Sequence, residues 1–95
     1  MLLIMALPDG VSSRYELLMP TILRWRGWIF LFYSADGSEP PHVHVRKGRQ
    51  EVKFWLKDAS VAASRHVPEH ELKLLRRKVV EQQSHFMEAW HAYFG

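Results

Sequence analysis

His42 and His44 stand two residues apart in Pro41-His42-Val43-His44-Val45. Side chains alternate between the two faces of a strand, so both imidazoles project from the same side. Three readings follow from that placement. The rings could be two cis ligands of a Zn or Fe site, with a third donor from Glu51, Glu39 or Asp58. They could be a paired general acid and base for phosphodiester chemistry. They could also be outward polar residues with no chemistry. The assignment carried forward is a site without metal or cofactor, in which His42, His44 and Glu51 are the expected catalytic groups. A carboxylate beside an imidazole fixes its tautomer and favours its protonated form, and Glu51 is the nearest candidate in the expected pairing.

Next to the histidines lies the basic run Arg46-Lys47-Gly48-Arg49. Arg46, Lys47, Arg49 and Lys53 are expected to hold phosphate or another anion, with Trp55 available to stack a base. The competing reading is a solvated hairpin tip whose charges protect a sheet edge. A two-residue turn at Lys47-Gly48 sets Val43 opposite Val52, Val45 opposite Gln50, His44 opposite Glu51 and His42 opposite Lys53. A slip by one residue would set valines against charges, which disfavours it. One face then carries His42, His44, Arg46, Glu51 and Lys53, with Trp55 alongside.

The elements that must position these groups are strands followed by a helix. Residues 21–25 and 28–33 are two β-rich runs around Arg26-Gly27, and Gly supplies the positive φ of a tight hairpin. That hairpin sets Trp25 opposite Trp28 and Leu23 opposite Phe30. The second run is apolar on both faces and reads as a central strand covered on both sides. Residues 42–46 and 50–56 are the third and fourth strands, and 57–64 reads as a loop or a short helical turn. Pro68 suits a helix start, and Leu72, Leu75, Val79, Phe86, Trp90 and Phe94 recur at helical spacing. The expected fold is therefore α+β, an antiparallel four-stranded meander packed against one long C-terminal helix, with the face bearing His42 and His44 left open. Residues 1–18 read as an extension ahead of a single domain over 19–95, and Met19 could itself be a start.

With 95 residues, 47% of them hydrophobic and 13% aromatic, the chain can bury a core. It has no Cys, which excludes disulfides and thiolate metal sites and fits a cytoplasmic setting. The formal charge of +3 is a moderate basic bias, compatible with nucleic acid or an acidic partner. The apolar run Leu2–Leu7 is far shorter than the ~20 residues of a bilayer span, so no membrane segment is expected. His66, His70, His85 and His91 form no metal motif and read as surface residues.

Several segments together resemble the bacterial domain of unknown function 4160 family. They are Pro20-Thr21-Ile22-Leu23, Tyr33-Ser34, Glu39-Pro40-Pro41-His42-Val43-His44-Val45, Lys53-Phe54-Trp55-Leu56, Glu71-Leu72 and the ending Glu88-Ala89-Trp90-His91-Ala92-Tyr93-Phe94-Gly95. The resemblance runs from about Met19 to Gly95. It implies a small cytoplasmic bacterial protein encoded beside another short protein, similar to a toxin–antitoxin pair, with this chain the toxin-like half and a small antitoxin-like protein its partner. Two functions remain open on that basis. One is a metal-independent, ribonuclease-like action on RNA. The other is a non-catalytic module that docks an acidic protein or nucleic acid; self-association is compatible with either. The first 18 residues and Ser64-Arg65-His66-Val67-Pro68 depart from the family pattern, which puts partner contacts rather than the histidine motif in doubt.

Overall fold

The computed structural model describes residues 20–95; the extension assigned to residues 1–18 lies outside them. The order is β1 (Thr21–Trp25), β2 (Trp28–Leu31), a single 3-10 turn (Asp36–Ser38), β3 (His42–Lys47), β4 (Gln50–Trp55), β5 (Val61–Arg65), α1 (Glu69–Glu81) and α2 (Gln83–Phe94). The strands form one antiparallel meander in the order β1-β2-β3-β4-β5.

The first hairpin follows its turn chemistry. Arg26 and Gly27 both have positive φ, 52° and 83°, as a type I′ turn requires. Trp25 pairs with Trp28 and Leu23 with Phe30 as expected. The second hairpin corrects the expected register. Its turn is Gly48-Arg49, with Gly48 at φ 60°, so Val45 pairs with Val52, His44 with Lys53, His42 with Trp55 and Arg46 with Glu51. The offset is two residues. Because side chains alternate with period 2, that shift changes the partners and preserves the faces.

Val43, Val45, Val52 and Phe54 therefore point into the core with Phe30 and Phe32, where they meet Leu75, Val79, Phe86 and Trp90 from the helices. Strand β3, rather than β2, is the middle of the sheet, and its first four residues are all buried.

The sheet has a fifth strand where a loop or helical turn was expected. Residues 61–65 are mostly exposed and rich in Ala and Ser, so no apolar alternation marks them. Their extended form comes from pairing with β4. The turn into this strand is held by Asp58, whose Oδ1 accepts hydrogen bonds from the Ser60 N–H and hydroxyl at 3.0 and 2.7 Å. Arg76 donates to the Ala59 carbonyl at 3.0 Å, which ties the same turn to α1.

The C-terminal helix is two helices that meet at Gln82, whose φ of −101° and ψ of 13° interrupt the ladder. The neighbouring Gln83 amide donates to the Leu56 and Lys57 carbonyls at the end of β4. The apolar spacing passes through this join unbroken, which is why periodicity reads one helix.

Phe86 is fully buried and packs on Phe30 with ring centroids 5.6 Å apart. Phe86→Ala is expected to lower unfolding stability by about 3–5 kcal/mol. Val80, on the exposed side of α1, should tolerate Ala within about 0.5 kcal/mol. Urea unfolding of both variants checks the assignment, and equal losses would contradict it.

Candidate functional site

The site begins with the connection between β2 and β3. The Asp36 N–H donates to the Tyr33 carbonyl at 2.9 Å, and the Tyr33 N–H donates to Asp36 Oδ2 at 2.8 Å. These reciprocal bonds turn the chain and direct the Asp36 carboxylate inward, where the residue is only 7% exposed. Its Oδ2 lies 3.1 Å from His42 Nε2 and 3.2 Å from His44 Nε2. On its far side, His44 Nδ1 is 3.3 Å from Glu51 Oε2, which accepts a hydrogen bond from the Tyr33 hydroxyl at 2.8 Å.

Both histidines are buried, His42 at 0% and His44 at 8% exposure, so the face expected to be open is covered. Tyr33 lies against the His44 ring, with centroids 4.0 Å apart. His42 is enclosed by Trp55, Trp90 and His44 at 5.6, 5.1 and 5.0 Å.

The hydrogen-bond partners restrict the tautomers. His42 Nδ1 lies 2.9 Å from the Pro40 carbonyl oxygen. A carbonyl can only accept, so Nδ1 carries the proton and Nε2 of the neutral ring presents a lone pair towards Asp36. His42 Nε2 and both ring nitrogens of His44 are buried without a hydrogen bond; their carboxylate neighbours are close but lie off the bonding direction. Burial pulls the His44 pKa below the ordinary imidazole value, against the opposing pull of Asp36 and Glu51. A neutral His44 has one N–H to offer two carboxylates.

The structure brings His42, His44 and Glu51 together and adds Asp36 and Tyr33, which the sequence reading did not place there. Glu51 reaches His44 as a diagonal neighbour on the same face, not as its direct partner. Of the other donors considered for a metal, Glu39 is bonded to Lys53 Nζ at 2.6 Å and Asp58 to Ser60. Asp36, His42 and His44 are the group among the described residues whose donor atoms all lie within 4.8 Å of one another.

The expected anion-binding residues divide. Lys53 lines a pocket of about 190 Å³ with His44, Glu51 and Arg65, the last a residue outside the expected set that pairs with Glu51 at 3.1 Å; Arg46, half-buried opposite Glu51 in the ladder, is not in that lining. Lys47 and Arg49 belong to the exposed hairpin end. Trp55 carries the Lys53 ammonium 4.7 Å from its ring centroid, so one of its faces is already engaged.

Residues 27–91 match the family described as domain of unknown function (DUF4160). That match spans more than half of the chain, and the chain belongs to this family. No curated protein and no solved structure matches it. Among the described residues, no helix is long and apolar enough to cross a membrane.

The Tyr33 pKa is pushed up from 10.0 to about 12, first by burial and then by the hydrogen bond to Glu51. The neutral phenol is thus favoured in the folded state. Its contribution to stability is complete below pH 10 and is lost as pH rises from 10.0 towards about 12. Urea midpoints taken below and above pH 10 should fall more steeply for wild type than for Tyr33→Phe. Parallel slopes would show that the phenol is not protected.

Proposed function

We propose that this chain is a binding module that docks an acidic partner protein through the basic end of its sheet, as the toxin-like half of a two-protein pair. The observation that supports this most is the separation of the two charge systems. The imidazoles are withdrawn from solvent, whereas the cations around the two hairpin turns stay at the surface. A general acid or base must come within hydrogen-bond reach of the reacting group, and His42 has no exposed surface.

The basic end is continuous across elements. Lys47 lies beside Gly27 of the neighbouring turn, 3.5 Å from the position a Cβ would take there, with Arg49 next to it in the second turn. Arg26 sits over the Trp25 ring at 4.9 Å, and Lys78 of α1 approaches the same ring at 5.0 Å. Arg77 and Lys78 line a shallow groove beside Trp25 together with Glu81, which pairs with Lys78 at 2.6 Å. Single-strand binders stack bases on aromatic faces. Here Trp25, Trp28 and Trp55 each carry a cation on the ring, which favours an acidic protein surface over a run of bases.

A second reading has one observation in its favour. His44 shares its pocket with Glu51, Lys53 and Arg65, so a phosphate between the two cations would lie near one imidazole. That arrangement fits a ribonuclease-like toxin in which His44 alone meets RNA, with Glu51 behind it and Lys53 holding the backbone.

The two readings separate experimentally. Lys47→Glu/Arg49→Glu should weaken the complex with the product of the adjacent short gene by at least about tenfold, since charged contacts dominate such encounters. His44→Ala should leave that complex intact. Retention of the complex by the charge-reversed variant overturns the docking surface. Cleavage of RNA by wild type that is lost in His44→Ala would instead establish the second reading.

A further inference from the structure

We propose that Asp36, His42 and His44 form a binding site for one divalent first-row transition metal ion, held through Asp36 Oδ2, His42 Nε2 and His44 Nε2. The site stands apart from the basic docking surface and does not depend on it.

The geometry of the donors is the first argument. Two ligands about 2.0–2.1 Å from a tetrahedral zinc ion lie roughly 3.3–3.4 Å from each other. Asp36 Oδ2 is 3.1 Å from one imidazole nitrogen and 3.2 Å from the other. Two of the three donor–donor edges are thus close to the edge length of a coordination polyhedron, and all three atoms lie within 4.8 Å of one another.

The second argument is charge. With the His42 proton committed to the Pro40 carbonyl, its Nε2 lone pair lies beside a carboxylate oxygen 3.1 Å away. His44 faces carboxylates through both nitrogens, so either neutral tautomer leaves one lone pair against an oxygen. Added protons on the imidazoles would relieve this by placing positive charge on two adjacent buried rings, 5.0 Å apart at their centroids. Burial disfavours that state. One cation between the three atoms takes up the lone pairs of His42 Nε2 and His44 Nε2, two of the three buried ring nitrogens that lack hydrogen bonds, and leaves the proton of His44 on Nδ1 beside Glu51.

The surrounding residues are those that orient metal ligands. A ligating His usually gives its other nitrogen to a carbonyl or carboxylate, which fixes its tautomer and raises its basicity. The Pro40 carbonyl plays that part for His42, and Glu51, itself braced by the Tyr33 hydroxyl, lies 3.3 Å from the other nitrogen of His44. The Tyr33 N–H holds the carboxylate of Asp36.

Two nitrogens and one oxygen select the class of ion. Calcium and magnesium require mainly oxygen donors, whereas imidazole suits zinc, copper, iron and nickel. Three protein ligands leave coordination positions for water or a substrate oxygen.

The test uses untagged protein stripped with EDTA, dialysed and titrated with ZnCl₂ by calorimetry, with thermal unfolding in parallel. Wild type should bind one equivalent and melt at a higher temperature with zinc. Asp36→Asn keeps an acceptor for the Tyr33 N–H, and His44→Gln is similar in reach. Each should weaken binding by at least about tenfold and lose the zinc-dependent rise. The variant His66→Ala/His70→Ala/His91→Ala should bind as wild type does. Absence of a one-to-one event, or an event lost with the surface histidines and kept in Asp36→Asn, overturns the proposal. Should Asp36→Asn fail to fold, Co²⁺-loaded wild type decides. Intense d–d bands of a low-coordinate nitrogen and oxygen set support the site, and the spectrum of free hexaaqua cobalt refutes it.

Discussion

The Asp36 carboxylate, held beneath Tyr33 and against two imidazoles, is the constraint around which the rest of the molecule is arranged. Burying a carboxylate costs several kcal/mol unless charge and hydrogen bonds compensate it. Here the Tyr33 N–H supplies one bond, and His42 and His44 supply the nearest polarisable atoms. The connection between β2 and β3 is exposed along most of its length, but Asp36 turns inward from it. It is the lid of the histidine cluster, and it keeps its shape only while its one buried acid stays satisfied.

Helix α2 closes the same region from the other side. Phe94 lies so near Gly37 that a Cβ there would come within 2.8 Å of its Cδ1, and Trp90 packs on both Phe32 and His42. Edge and tilted aromatic contacts of this kind contribute about 0.5–1.5 kcal/mol each beyond burial. Phe32, Trp90, Tyr93 and Phe94 form a connected set. The end of the chain is thereby coupled to the acid in the loop. A side chain at position 37 would have to displace the Phe94 ring.

What could be read from the sequence follows the range of each signal. Arg26-Gly27 names its hairpin because turn chemistry is local. The alternation in β3 and β4 assigns faces correctly because period 2 survives a two-residue error. The same tolerance hides the error: Val43 meets an apolar residue in either register, Val52 or Phe54, and only the partner of Val45, Gln50 or Val52, separates a Lys47-Gly48 turn from a Gly48-Arg49 turn. β5 was invisible because an Ala- and Ser-rich edge takes its extended form from its neighbour. The break at Gln82 was hidden because Gln83 bonds to carbonyls 26 and 27 positions earlier. Asp36 was missed for a related reason. The turn at Ala35-Asp36-Gly37 was visible, but nothing periodic relates a loop acid to a strand six residues on.

Strand β3 explains how one short chain keeps two unlike charge systems. Its odd residues Val43 and Val45 are core, which pins the register. The even residues His42 and His44 then have no choice but the face under the loop. Lys47 ends the same strand, about 17 Å from His42 at 3.3–3.4 Å per residue. The Debye length at physiological salt is about 8 Å, so exposed cations at the tip do little to the potential at the cluster. The buried centre therefore owes its electrostatics to the charges beside it, Asp36 and Glu51 with the Lys53 and Arg65 that line the pocket next to His44, and not to the basic end of the sheet.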